Sequence, residues 1–271
     1  MIPNLPLNNN YNNNDGEQEF ADKCIYEFIQ QLNNKKKKNE FLGDISLDLA
    51  DRICLSTDNS VYQQCPQAVI FPKSENDVIQ ILKIASQEKY NNIKFSARGG
   101  GTGTNGQSLT SGILIDYSKF MRKILEIDPN GSWVRVQPGV ILDELNDQLK
   151  SYGVYFAPNI SPSTRATIGG MFQTDACGKG SMVYGRTSEH ILAARHIMHD
   201  GNLLICDNKL DKNLDQNYSD KFTQDISQKL YNLISPKRDL IETTFPKLQR
   251  FLSGYNLPHA LGLKKGFDLN A

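Results

Sequence analysis

The chain has 271 residues, 39% of them hydrophobic, which is enough for one large or two modest domains with a substantial core. Its 30 basic and 30 acidic side chains cancel, which excludes a global field that would attract nucleic acid. No apolar stretch approaches the ~20 residues needed to cross a bilayer, and the start lacks the pattern of a signal peptide. We therefore expect a cytoplasmic protein, at most peripheral at the cytosolic membrane face.

The cysteines argue against a metal or disulfide framework. The chain has 5 cysteines, an odd number, and they are widely spaced with no C-x-x-C pair. Disulfide scaffolds, zinc sites and iron–sulfur sites use closely spaced cysteines. We therefore expect reduced thiols and no bound metal.

The first quarter of the chain predicts a tail followed by helices. Residues 1–16 are rich in Asn and predict a disordered tail. Apolar residues at three- and four-residue spacing over 20–32 predict an amphipathic helix that ends in the basic run 35–38, which we interpret as a solvated turn. A second short helix is expected over 46–53. The polar stretch 55–62 is either a connection or the approach to a site, and its composition favours a connection.

An alternation of strands and helices begins at Ala68. Residues 68–71 predict a strand, and Ser74 caps a helix whose apolar residues share one face, so this part is a β-α-β unit. A strand over 113–116, a hairpin over 123–137 and a helix over 141–149 follow. Two α/β units with intervening hairpins that share one ligand indicate an α+β domain.

The C-terminal part predicts a hairpin and further helices. Residues 191–206 predict the hairpin, and we interpret its His196 and His199 as surface residues because histidines near turns usually are. Apolar spacing predicts one helix over 222–234 and a second, around a proline, over 240–252.

A glycine-rich stretch, F-S-A-R-G-G-G-T-G-T-N-G-Q-S at 95–108, is the centre of the functional analysis. It places five glycines within eight positions, where they cost backbone entropy and bury no side chain. A mobile linker is one interpretation. The apolar runs at 93–95 and 113–115 favour a second interpretation, a phosphate-binding loop between two strands. The amide groups of this loop would form an anion-binding nest. Arg98 would stand at its edge as a fixed positive charge.

Two better-known glycine loops do not fit this stretch. The spacing of Gly101, Gly103 and Gly106 matches G-x-G-x-x-G, but a dinucleotide fold starts a helix at the last glycine, and the next residues are strand-like. The outer frame of a P-loop also fits, yet Gln107 stands where the phosphate-binding lysine is needed. A nucleoside triphosphate is therefore the weaker alternative.

A second glycine-rich and mostly uncharged segment lies at 157–185. Its T-I-G-G sequence at 167–170 is compatible with an ordinary close contact between elements. An extended ligand with a pyrophosphate in its middle needs donors from two sides, however, and two separate Gly/Thr/Ser segments would supply them. The two segments together predict one binding site for such a ligand.

Four stretches together resemble a known family. They are F-P-K-S-E-N-D-V at 71–78, R-G-G-G-T-G-T-N-G at 98–106, V-R-V-Q-P-G-V at 134–140, and A-T-I-G-G through V-Y-G at 166–185. The combination resembles the FAD-binding domain of the vanillyl-alcohol oxidase / p-cresol methylhydroxylase (PCMH-type) superfamily. Within it, the chain is similar to large bacterial FAD-linked dehydrogenases of D-2-hydroxy acids, of the D-2-hydroxyglutarate and D-lactate type, and the resemblance includes 245–255.

The resemblance implies an α+β PCMH-type fold of two α/β subdomains with FAD between them, preceded by N-terminal helices. It implies noncovalent FAD, because the loop offers no His or Cys for attachment and Cys177 is a remote candidate. It implies oxidation of a D-2-hydroxy acid by hydride transfer to flavin N5, with an electron acceptor, and it identifies no catalytic base. The implied cofactor-binding residues are Arg98, Gly99, Gly100, Gly101, Thr102, Gly103, Thr104, Gly106, Pro138, Gly139, Pro158, Ser161, Thr167, Ile168, Gly169, Gly170, Thr174, Ala176, Gly178 and Gly185.

The departures from the family pattern define the expected domains. We expect a tail at 1–16, a helical segment at 17–54, the FAD-binding domain at 55–208, and a helical insertion with the truncated end of that domain at 209–271. The family's completing segment, substrate domain and cysteine-rich iron–sulfur modules are not in this sequence. We therefore expect a chain that is inactive alone, either a non-catalytic FAD-binding remnant or one part of a split enzyme whose second chain carries the missing domains.

Overall fold

The structure is a computed structural model that describes residues 23–207, 220–248 and 255–261. The predicted tail at 1–16 lies outside the described residues, as does the last part of the predicted helix over 240–252. Among the described helices, none is long and apolar enough to cross a membrane. In the same ranges, no group of three or more His, Cys, Asp or Glu side chains could hold a metal ion.

A four-stranded sheet forms the first half of the described chain. Its strands are β1 (Asp44–Ser46), β2 (Ala68–Phe71), β3 (Phe95–Arg98) and β4 (Ile113–Asp116), in the order β1-β2-β4-β3. β2, β4 and β3 are parallel, and β1 pairs antiparallel with β2. Every side chain of β2 and β4 is buried, as expected for parallel strands covered on both faces.

Three helices accompany this sheet: α1 (Lys23–Lys37), α2 (Leu49–Cys54) and α3 (Glu75–Ala85). α1 and α3 pack their apolar stripes against one face, where Phe28, Leu32 and Ile81 are fully buried. Ser74 and Asp77 form a capping box that fixes the start of α3, as the sequence predicts. The burial of these stripes joins the N-terminal helix to the sheet in one hydrophobic core.

A second core lies behind the hairpin of β5 (Ile124–Ile127) and β6 (Val134–Val136). Helices α4 (Leu142–Leu149) and α5 (Ile168–Gln173) fill it with apolar side chains that include Leu145 and Met171. Thr167 caps α5 through its side-chain oxygen, which accepts a hydrogen bond from the amide of Gly170 over 3.3 Å.

The remaining elements are α6 (Ser181–Tyr184), the hairpin β7 (Ala193–Ile197) and β8 (Leu203–Asp207), α7 (Lys221–Ile234), α8 (Arg238–Thr244) and α9 (Leu257–Ala260). The hairpin packs on α3, where Arg195 donates two hydrogen bonds to the carboxylate of Glu75 over 2.8 and 2.7 Å. This bidentate ion pair connects the last hairpin to the start of α3.

The α+β architecture is confirmed, and the local predictions differ at four places. Helix α8 ends at Thr244, so the helix predicted over 240–252 does not continue around Pro246. The predicted helix over 46–53 is shorter, because Asp48 caps α2 and the preceding residues form β1. The basic run is not a separate turn, since α1 continues through Lys37 and its cationic side chains favour a helix C-terminus. His196 is half-buried, and its ring lies at 40° to that of Phe172 with centroids 5.6 Å apart, so it is less exposed than predicted.

The predicted boundaries at 17–54, 55–208 and 209–271 stay predictions. β1, from the predicted helical segment, pairs with β2 from the predicted FAD-binding domain, so the sheet runs across residue 55.

Candidate functional site

The glycine-rich stretch is the crossover between two parallel neighbours. β3 ends at Arg98, β4 begins at Ile113, and the two strands pair directly in parallel. A parallel pair requires a connection of about a dozen residues or more, usually through a helix. Residues 99–112 make this connection without a helix, which agrees with the predicted strand, loop and strand. The loop therefore begins at the carboxyl end of a parallel sheet, where ligands of such sheets bind.

The amide groups of this loop are available to a ligand. Within the described ranges, the amides of residues 99–104 donate to no protein acceptor. Gly101 has a φ of +62°, a left-handed conformation that an L-residue rarely adopts. Thr104 is exposed and residues 99–103 are partly buried. Partly buried amides that lack acceptors are what an anion-binding nest requires, and the nest itself stays a prediction.

The loop faces a cavity of about 680 Å³. We call residues 98–104 the first wall; Arg98, Gly101, Thr102 and Thr104 line the cavity from it. The second wall consists of residues 160–165 together with Cys177 and Gly178. Among the described residues, the amides of Ser161, Cys177 and Gly178 also have no protein acceptor. The two glycine-rich segments thus lie on two sides of one cavity, as predicted.

A third wall comes from residues that the sequence analysis interpreted as a connection. Cys54, Thr57, Asp58 and Asn59 line the same cavity. The amide of Asn59 donates to the carbonyl oxygen of Gly101 over 3.0 Å, which fastens this third wall to the first. The polar composition of this stretch was the one feature of the sequence that indicated a possible role in a site. Its position at the cavity follows only from the fold.

Arg98, at the start of the first wall, is hydrogen-bonded to the third wall. Arg98 is only 5% exposed, and its guanidinium group donates to the carbonyl oxygen of Thr57 over 2.8 Å and to the hydroxyl of Ser108 over 3.4 Å. Burial lowers the pKa of Arg98 below its ordinary value, although the negative charges of Asp116 and Asp58 counteract the shift. Arg98 lines the cavity as predicted, but its hydrogen bonds join protein segments to one another.

Both carboxylates near Arg98 are held by other groups. Burial raises the pKa of Asp58, but hydrogen bonds from Ser60 and Ser108 outweigh it, so the pKa lies below its ordinary value. Burial dominates at Asp116, whose pKa is raised although Ser118 and Lys119 donate hydrogen bonds to it. The buried arginine therefore has two acidic neighbours.

Several predicted glycines bring the two halves of the molecule into contact. A methyl group on Gly100 would overlap the carbonyl oxygen of Arg165, and one on Gly99 would overlap the hydroxyl of Thr167. A methyl group on Gly139 would overlap the carbonyl oxygen of Tyr117. These glycines permit close approach of backbone to backbone.

The T-I-G-G segment serves the fold through its amides. The amide of Ile168 donates to Val140 over 2.8 Å, and that of Gly169 to Pro138 over 2.9 Å. With Gly170 engaged by the side chain of Thr167, three consecutive amides are used inside the protein. This segment joins the second core to residues 138–140.

Two further predicted residues beyond the cavity lining are also engaged locally. The hydroxyl of Thr174 donates to the carbonyl oxygen of Gly170 over 2.9 Å, and the amide of Ala176 donates to Met171 over 2.8 Å. The cofactor role of all the predicted residues stays a prediction, and fourteen of them do not line the cavity. They are Gly99, Gly100, Gly103, Gly106, Pro138, Gly139, Pro158, Thr167, Ile168, Gly169, Gly170, Thr174, Ala176 and Gly185.

Residues 66–207 match the sequence profile of a family described as FAD binding domain. The match covers just over half of the chain and includes the first and second walls. The chain belongs to this FAD-binding family. The predicted membership and the predicted cofactor, FAD, are thereby confirmed.

Relatives of this FAD-binding chain include large dehydrogenases. The D-2-hydroxyglutarate dehydrogenase of Escherichia coli (strain K12) is 46% identical over 237 residues, which are 87% of this chain and 23% of that protein. The enzyme of the same name from Haemophilus influenzae is 47% identical over 221 residues, 80% of this chain and 22% of the relative. This chain thus spans less than a quarter of the length of these relatives.

Solved structures show the same fold at low identity. An alkyldihydroxyacetonephosphate synthase superposes with a TM-score of 0.56 at 21% identity, covering 72% of this chain and 36% of that one. The 6-hydroxy-D-nicotine oxidase of Arthrobacter nicotinovorans gives 0.55 at 24% identity, covering 62% and 36%.

The residues present fit FAD. The cavity lies within the range of about 300–1,000 Å³ that is typical of cofactor sites. Residues whose amides have no protein acceptor line it from both glycine-rich walls, which suits an extended ligand with a diphosphate in its middle. Arg98 and Arg165 add cationic groups to the lining, against one carboxylate, Asp58.

Proposed function

We propose that this chain forms the FAD-binding part of a flavin-dependent dehydrogenase of D-2-hydroxy acids, with D-2-hydroxyglutarate as the first substrate to test. The observation that carries the proposal is the cavity of about 680 Å³, whose two glycine-rich walls present amides without protein acceptors. The names of the relatives, at 46% and 47% identity, support the choice of substrate.

The first wall would hold the diphosphate of FAD through the amides of residues 99–104. Ser161 and Gly178 would contact the cofactor from the second wall. Bound FAD would supply the acceptor for the hydride that leaves the α-carbon of the hydroxy acid. We propose noncovalent binding, because the loop contains neither His nor Cys.

We propose that the chain alone binds FAD without turnover. The carboxylate in the cavity lining, Asp58, accepts hydrogen bonds from the amide of Ser60 and the hydroxyl of Ser108, and its pKa lies below its ordinary value. A carboxylate held in this way is a weak general base near neutral pH. A base, the groups that bind the substrate carboxylate, and an electron acceptor would come from a second chain or domain.

Binding is tested by purifying the chain, recording its visible spectrum and titrating it with FAD. We expect a flavin spectrum or saturable uptake of one FAD per chain. A colourless protein that takes up no FAD would disprove the proposed function. Titration with riboflavin, which lacks the diphosphate, is the matched ligand control and should give weaker binding.

Turnover is tested separately with D-2-hydroxyglutarate and D-lactate in the presence of an artificial electron acceptor. We expect no reduction of the acceptor by the FAD-loaded chain. If the acceptor is reduced with the D-enantiomer of either acid and not with the L-enantiomer, the chain contains a complete active site. That result would contradict the proposed lack of turnover and would support the proposed substrate class.

A further inference from the structure

The cavity is lined by two arginines whose surroundings differ. Arg98 comes from the first wall and Arg165 from the second. The sequence analysis assigned the charge for the phosphate groups to Arg98 alone. The hydrogen bonds and the nearby carboxylates assign the two side chains to different tasks.

The charge of Arg98 is already compensated inside the protein. Its donors are directed to Thr57 and Ser108, and Asp58 and Asp116 supply opposite charge. Arg98 is 5% exposed as a residue, and its guanidinium group, hydrogen-bonded to two segments, cannot turn to a ligand without breaking those bonds. Arg98 therefore contributes little net charge to the cavity.

Arg165 is placed differently. Its side chain is exposed and lines the cavity, and it donates a long hydrogen bond of 3.4 Å to the carbonyl oxygen of Gly100 in the first wall. Among the described residues it forms no ion pair. Its guanidinium group thus reaches from the second wall to the loop whose amides lack acceptors.

We propose that Arg165 is the cation that binds the diphosphate of FAD, and that Arg98 instead holds the walls of the cavity together. This inference rests on the proposed function. A guanidinium group donates two parallel hydrogen bonds to phosphate oxygens and carries a full positive charge. Backbone amides also donate hydrogen bonds, but they carry no net charge. Because Arg165 contacts the loop that would hold the diphosphate, it is assigned to the diphosphate and not to the carboxylate of a hydroxy acid.

The test compares dissociation constants of three ligands for the purified chain and for its R165Q and R165K variants. FAD and ADP contain the diphosphate, and riboflavin does not. We expect R165Q to weaken FAD and ADP about five- to twentyfold, as the loss of a partly exposed charge-assisted hydrogen bond implies, and to leave riboflavin unchanged. R165K should restore part of the affinity, because it restores the charge without the planar fork.

Salt dependence supplies a second readout. Raising the salt concentration should weaken FAD binding more for the wild type than for R165Q, because a partly exposed ion pair is screened. R135Q is the matched control, since Arg135 is an exposed arginine paired with Glu126 outside this cavity. It removes the same charge and should leave all three dissociation constants unchanged.

The outcomes separate this inference from the proposed function. If the wild type binds no FAD, the proposed function fails first. If the wild type binds FAD and R165Q binds FAD and ADP equally well, the role of Arg165 is disproved while the proposed function stands. Equal weakening of riboflavin and FAD by R165Q, with unchanged thermal stability, would also overturn it, because the effect would not depend on the diphosphate.

Discussion

Arg98 donates a hydrogen bond of 2.8 Å to the carbonyl oxygen of Thr57, although the two residues are 41 positions apart in the chain. The bond joins the end of β3 to the third wall of the cavity. The amide of Asn59 and the carbonyl oxygen of Gly101 form a second connection nearby. A short polar stretch is thus held against the glycine loop by hydrogen bonds from both sides.

Replacing Arg98 with Met should lower the free energy of unfolding by about 2–4 kcal/mol, because it removes the donor to Thr57 and leaves two carboxylates without their cationic neighbour. Chemical denaturation with urea measures the change. The control is R135M, which removes an exposed arginine and should cost less than about 1 kcal/mol. Equal stability of R98M and R135M would show that the buried bonds of Arg98 contribute nothing.

Replacing Gly100 with Ala should separate the first and second walls, because the added methyl group overlaps the carbonyl oxygen of Arg165. We expect a stability loss of about 1–3 kcal/mol, typical of overpacking, together with weaker FAD binding. Calorimetry and flavin titration measure the two effects.

The matched control for that variant is Gly153→Ala. Gly153 has a φ of +71°, and a methyl group there meets no atom within 4 Å. Its cost is therefore backbone strain alone, about 1–2 kcal/mol. Gly153→Ala should destabilise the chain and leave FAD binding unchanged. If it weakens FAD binding as much as Gly100→Ala does, then contact between the first and second walls is not what FAD binding depends on.

Bound FAD should protect Cys177 from alkylation, because this thiol lines the cavity. Cys65 is exposed and lies outside the cavity lining, so it serves as the internal control. N-ethylmaleimide labelling followed by mass spectrometry gives the rate at each thiol with and without saturating FAD. We expect slower labelling at Cys177 and at Cys54, which also lines the cavity, and unchanged labelling at Cys65. Unchanged labelling at Cys177 would place the cofactor elsewhere.

Acid should destabilise the chain partly through His196. Burial lowers the pKa of His196 below its usual 6.5, so the unfolded chain binds a proton more readily than the folded chain. The contribution of this residue is therefore fully present above pH 6.5 and is lost as the pH falls through the folded-state pKa. Denaturation curves should show that H196Q loses less stability than the wild type on acidification.

His199 supplies the control for that experiment. It lies in the turn of the same hairpin and its side chain is exposed. H199Q should keep the pH dependence of the wild type. If H196Q and the wild type lose stability equally as the pH falls, the burial of His196 against Phe172 is not the cause.

Local patterns in the sequence predicted much of the fold correctly. The helix cap at Ser74, the hairpin over 123–137 and the helix over 141–149 all depend on residues that are close together in the sequence. The glycine loop was also recognisable, because its lack of side chains excludes a packing role and the following residues exclude a helix.

Contacts between distant residues could not be predicted in the same way. β1 pairs with β2 at the edge of the four-stranded sheet. The sequence of residues 44–46 does not indicate this strand or its partner. The assignment of the phosphate charge to Arg98 followed from its position beside the glycines. It overlooked Thr57, Ser108 and Asp58, which reach that side chain only in the folded chain.

The sequence by itself determined that this chain is an α+β protein with two glycine-rich segments suited to FAD, because backbone freedom, caps and turns are local properties. The tertiary structure decided which residues meet at the cavity. Residues 54–59 became a wall of it, and Arg98 and Arg165 were distinguished, because burial and the partners of a charge depend on segments that are far apart in the chain.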